Sequence, residues 1–101
     1  MDILKHLVEL VGTFLFVYVI LNVSNAPGKE PLLNAGTIVL TLLAMIIIGG
    51  SISGGHFNPA VSVAKYMDGS GFDMTHLVGF IIAQVLGALL AVKLWQITSK
   101  R

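Results

Sequence analysis

From Leu33 to Ile48 the chain runs without one charged residue. In an apolar setting such a backbone must satisfy its own N–H and C=O groups, which only a helix or a closed barrel does. The run stops at Gly49-Gly50, slightly short of the ~20 residues that cross a bilayer. That length suits a span leading straight into irregular backbone. Similar apolar stretches lie on either side, at about Leu4 to Val23 and Leu77 to Trp95. The expected architecture is therefore an all-α membrane protein with three transmembrane helices, at about residues 4–23, 33–50 and 75–97. Charged residues make up 11% of the 101 residues, under half of the ~25% usual in soluble domains. Mean hydropathy is +0.90. The chain reads as integral and multi-pass, with the lipid bilayer as its first partner.

Other classes recede. A net charge of +1 offers no basic footprint for nucleic acid. With no cysteine, thiolate metal sites are absent. Neither a nucleophile–base set nor a cluster of metal ligands is visible, so no enzyme, cofactor or metal is expected. Glu9, His6, His56 and His76 are scattered along the chain, although spacing alone leaves their proximity in space open. The first stretch is read as a retained span, because it carries Glu9 and lacks a small-residue cleavage site.

Ser51 to Val61 (Ser-Ile-Ser-Gly-Gly-His-Phe-Asn-Pro-Ala-Val) is too rich in Gly, Ser and His to continue the second span. Asn58-Pro59 reads as a fresh helix start, with Asn as N-cap and Pro at the first helical position. The following helix, Ala60 to Met67, would be roughly 12 Å long, near half of a ~30 Å hydrocarbon core. Residues 51–67 are thus expected to form a loop entering the membrane and a half-helix leaving it. The helix N-terminus, with its free N–H donors, would lie at mid-depth.

Two polar residues stand out within spans. A carboxyl at Glu9 either lies near the headgroups or faces the interior, accepting N–H groups of the irregular loop. Gln84 is the polar residue deep in the third span and should point inward. Gly79, Ala83, Gly87 and Ala91 recur every four residues, a stripe that lets another helix approach closely. Residues 24–31 form a polar, turn-rich linker, Asp68-Gly69-Ser70-Gly71 a surface loop, and Asp73 or Thr75 can cap the next helix.

With these residues in view, Ser53-Gly-Gly-His-Phe-Asn-Pro-Ala-Val61 closely resembles the first Asn-Pro-Ala loop of the major intrinsic protein family, the aquaporins and glycerol facilitators. The Glu9-x-x-Gly12-Thr13 and Ala83-Gln84-x-x-Gly87-Ala88 patterns resemble it too, in order and spacing. The resemblance covers nearly the whole chain and leans toward water channels. Family members carry two such halves, mutually inverted; this chain holds the first.

The resemblance implies a passive channel for water and small neutral solutes such as glycerol. Asn58, Pro59 and Ala60 would form the pore motif, and the Asn58 amide would donate to a passing oxygen. Carbonyls of Gly54, Gly55 and His56 would line the path, with glycine needed for close approach or positive φ. Glu9 and Gln84 would support the loop. His56 is open to two roles, a structural hydrogen bond or a pH sensor. Where the family's second half usually carries Arg after the motif, this chain has Val61, and the usual filter aromatic falls near Ile38. The constriction would be apolar.

One half makes no pore. An inverted homodimer would recreate the missing repeat, with four pores as the grouping that the resemblance suggests. Lys5 and Lys65 on one side face Lys29, Lys100 and Arg101 on the other, with Lys93 near them. That balance specifies orientation poorly. A non-conducting or regulatory subunit, or one piece of a split or truncated channel, are the other readings.

Overall fold

The computed structural model describes residues 2–28 and 30–99. Lys29, Lys100 and Arg101, part of the charge argument above, lie outside the described residues. Among the described residues four helices follow one another: α1 (Ile3–Ser24), α2 (Pro31–Ser53), α3 (Pro59–Met67) and α4 (Met74–Thr98). Three are long and apolar enough to cross a membrane, and α3, of nine residues, is the half-helix.

Each start is marked by a local interaction. Asp2 accepts the Leu4 N–H at 3.0 Å, and Pro31 opens α2 at a position where its missing N–H costs nothing. Asn58 accepts from Ala60. Of the two candidates before α4 it is Asp73 that caps, taking the His76 N–H at 2.9 Å.

The loop begins later than its composition indicates. Ser51, Ile52 and Ser53 continue α2, which ends on Gly54 in the left-handed region (φ 94°), its N–H on the Gly50 carbonyl. Gly49-Gly50 is therefore no stop. A side chain on Gly49 would strike Val8 of α1 and press on the Phe57 ring. The missing Cβ lets α2 approach α1 while its backbone bonds continue.

α1 is the central helix, packed on α2 at one side and α4 at the other, while α3 leans on α4. It runs antiparallel to α2: Val8 meets Gly49, and Leu15 and Val19 share a groove with Thr37 and Thr41. With α4 it runs parallel, since His6 meets Gly79, Leu10 meets Gly87, and the Tyr18 and Thr98 hydroxyls bond at 2.9 Å. The small-residue stripe is this seam. Ala83 and Ala91 are buried in it, and a Cβ on Gly87 would collide with the Leu10 carbonyl oxygen.

The interior is more polar than the surface. Buried polar side chains are His6, Glu9, Thr13, Ser53, His56, Ser62 and Gln84, against Phe57, Leu77, Phe80, Ala83 and Ala91 among the apolar ones. Leu32, Leu40, Ile47 and Leu89 are among the many exposed aliphatic side chains. Such an inside-out distribution is stable only when lipid covers the exterior.

Gly87→Val tests the seam. The added atoms meet backbone rather than a movable side chain, so a loss of roughly 1–3 kcal/mol is expected, read as a lowered unfolding midpoint in nanodiscs.

Candidate functional site

The site is the five-residue link from α2 to α3, residues 54–58, and the groups that hold it. Phe57 packs its ring against Gly12, close to the middle of α1, where a Cβ would collide with it. Gly12 stands nine residues from the start of α1, roughly 13 Å along its axis. The link is thus held near half-depth of a ~30 Å core, and α3 starts there.

Glu9 is completely buried and receives four donors. Its Oε2 accepts from the Ser53 hydroxyl at 2.7 Å and the His56 N–H at 3.0 Å. Its Oε1 accepts from the Phe57 N–H at 2.8 Å and the Gln84 side-chain amide at 3.0 Å. A carboxylate, which only accepts, matches four converging donors. Of the two placements open to Glu9, the interior one is found.

These bonds also aim the carbonyls. In a trans peptide the C=O points opposite to the N–H that shares its plane. No peptide bond here is cis. With the His56 and Phe57 N–H groups turned to Glu9, the Gly55 and His56 carbonyls face away from it. The Gly55 N–H is taken by the Ser53 hydroxyl at 3.1 Å, which orients the Gly54 carbonyl. Among the described residues no donor reaches these three oxygens. Gly54 and Gly55 adopt φ of 94° and 65°, and Phe57 adopts 51°, a conformation costing a non-glycine residue about 1–2 kcal/mol. The carboxylate bond to its N–H offsets that cost, being worth about 1.5–3 kcal/mol.

Asn58 closes the link. Its Oδ1 accepts the Ala60 N–H at 2.8 Å, which assigns the amide and leaves both Nδ2 hydrogens directed elsewhere. Asn58, Pro59, Ala60 and Val61 are exposed in the single chain. His56 is buried, its Nδ1 2.8 Å from the Ser62 Oγ, and Ser62 accepts from the Gln84 amide at 2.9 Å. With Ser62 accepting from Gln84, its own hydroxyl proton can be donated to His56 Nδ1.

Ser62, which accessibility places wholly inside, was not singled out by the sequence. Its signal was a lone hydroxyl among Ala60, Val61, Val63 and Ala64, four residues after the cap. Gly12 and Ser53 were noted as parts of motifs without roles. Glu9, Gln84 and the loop are brought together; Ile38 and Val61 are not. Ile38 follows Thr37, which shares a groove with Val19, while Val61 adjoins Ser62, which Gln84 links to Glu9. The two are roughly 15 Å apart in depth.

Against this geometry, residues 3–101 match the major intrinsic protein family. The chain belongs to that family. It is 41% identical over 85 residues to glycerol uptake facilitator protein-like 6 of Lactiplantibacillus plantarum, covering 83% of this chain and 39% of that protein. To aquaporin Z of Photorhabdus laumondii it is 38% identical over 93 residues, 86% of this chain and 40% of the relative. To aquaporin-8 of Mus musculus it is 38% identical over 95 residues, 92% and 36%. The chain thus spans about two-fifths of each relative's length. No solved structure matches. Three spanning helices and this membership make it an integral, multi-pass membrane protein with a partial fold of the family.

Outside the spans, the Ser70 hydroxyl, the Lys65 ammonium and the Ser70 N–H hold the Asp68 carboxyl down to about 2. The Lys65 Nζ lies 3.0 Å away. The Asp73 carboxyl is likewise lowered, first by the His76 N–H and then by its ring. A depressed carboxyl contributes its stability above the unfolded value, about 3.9, and loses it as pH falls through the folded one. These contacts therefore persist at pH 5.

Glu9→Gln keeps the shape and turns an amide toward donors. At least about 2 kcal/mol of stability should go, measured as a lower unfolding midpoint in nanodiscs; an unchanged profile would contradict the keystone role.

Proposed function

We propose that this chain forms a passive pore for water and small neutral solutes such as glycerol, by pairing with an inversely oriented copy of itself. The observation that carries the reading is the division of labour at Asn58. Its oxygen is tied to the Ala60 N–H, so its amide hydrogens are available to a passing oxygen. The three unpaired carbonyls of Gly54, Gly55 and His56 supply acceptors beside it. Donor and acceptors together suit a molecule that does both, such as water or an alcohol. The relatives' names, aquaporin and glycerol uptake facilitator, support the same solute class.

A second copy supplies what one chain lacks. In an inverted pair two half-helix N-termini meet at mid-depth, and their positive ends oppose cations and protons. Inversion would also bring Val61 of each copy toward the level of Ile38 of the other. Both are aliphatic, so the constriction would exclude ions by desolvation while discriminating weakly between water and glycerol. A second reading, pairing with a separate second-half protein, is favoured by the two-fifths share of the relatives' length. Higher grouping into four pores is part of the proposal that the family likeness suggests.

Purified chain in liposomes, challenged with an osmotic gradient and followed by light scattering, decides between them. Shrinkage faster than that of empty vesicles is expected, and Asn58→Asp should reduce it by placing a carboxylate at mid-depth. Flux no faster than in empty vesicles overturns pore formation by this chain alone. Reporters on the C-terminus should signal from both membrane faces; a signal from one face only rules out the inverted pair.

A further inference from the structure

The chain's three histidines, twenty to seventy residues apart in sequence, converge at the end where α1 and α4 begin. The His6 and His76 rings stack with centroids 6.1 Å apart and planes 21° from parallel. Phe80 meets His6 edge-on at 5.3 Å and His56 at 5.0 Å. Phe72 packs on His56 at 4.9 Å and Phe80 at 4.9 Å. One aromatic cluster thus connects the first turns of both helices to His56 in the buried link.

The two stacked rings are unequal. His6 Nδ1 lies 2.9 Å from the Asp2 carbonyl, an oxygen that only accepts, so the neutral ring carries its proton there. Its Nε2 is buried and has no partner; it lies over Gly79, where a Cβ would strike it. His76 Nδ1 is 2.7 Å from the Asp73 carboxylate, and its side chain is 30% exposed. An added N–H on His76 has the Asp73 carboxylate beside it. An added N–H on His6 Nε2 would lie against the Gly79 backbone with no acceptor.

We propose that His6 and His76 form a proton-sensitive clasp between the first turns of α1 and α4, closed while at most one ring is charged and opened when both are. Histidine is the side chain whose charge ordinarily changes between about pH 5 and 8. The surrounding carboxylates leave no acceptor for the N–H that a second proton would add at His6 Nε2. On α1, Asp2 is occupied capping Leu4, Glu9 is saturated by its four donors, and Lys5 is a further cation lining the small cavity that His76 and Ser53 share. On α4, Asp73 already serves His76. α2 contains no titratable residue, and on α3 Lys65 is paired with Asp68. His56, with Nδ1 on Ser62, is the third imidazole and supplies no negative charge. Opening also loosens Phe72 from His56. The clasp does not depend on the pore reading.

The chain has no cysteine, so Leu7→Cys and Val78→Cys, both at positions exposed in the single chain, carry one spin label each. The labelled chain is diluted into unlabelled chain, so that only distances within one copy are read, and electron-electron distances are measured in nanodiscs at about pH 8 and about pH 5. A single short distance is expected at the higher pH and an added longer one at the lower. His6→Phe, which keeps the stack but takes no proton, should abolish the longer population, and His76→Phe should do the same by removing the other charge. Identical distances at both pH values in the native background overturn the clasp, as does a response that survives in both variants. A distance response in protein that passes no water supports the clasp and defeats only the pore.

Discussion

The structure depends on one buried carboxylate. Inside a bilayer the hydrophobic effect does not hold helices together, because lipid tails are as apolar as the side chains they replace. What remains is close packing and polar groups that must find partners. Glu9 meets that demand for four groups at once, from α2, the link and α4. Without it, two peptide N–H groups at half-depth would have neither protein nor water to bond.

The same four bonds link stability to function. Fixing the His56 and Phe57 N–H groups toward α1 fixes the intervening carbonyls away from it. The glycines at 12 and 49 make this reach possible by letting the Phe57 ring and α2 come close to α1. Ser62 and Gln84 then carry the network into α3 and α4. Everything exposed on the open side of the link, from the carbonyls to the Asn58 amide, follows from what is buried on the other.

How much was legible depended on the range of the interaction. Three spans, the Asn58-Pro59 cap, Asp73 as a candidate cap and the stripe ending at Ala91 are local or periodic, and the helices confirm them. The end of α2 was misplaced because Gly49-Gly50 looks like a stop in isolation, whereas contact with Val8 keeps it helical. Phe57 in a left-handed conformation was invisible, since no residue preference announces it. Ser62 was overlooked because a serine on a short helix normally faces out. The convergence of His6, His56 and His76 was equally hidden, with each histidine on a different element.

The sequence by itself determined that the chain crosses a membrane, where its helices begin, and that a half-helix starts under an Asn-Pro cap. Those are consequences of hydropathy and local capping, which a linear chain carries in full. Only the tertiary structure decided which way the link's carbonyls point, what Glu9 holds, and that Ile38 and Val61 lie at different depths. Such facts belong to pairs of residues up to 75 positions apart, as Glu9 and Gln84 are. A buried polar group declares that it needs a partner; only the packed helices declare which one it has.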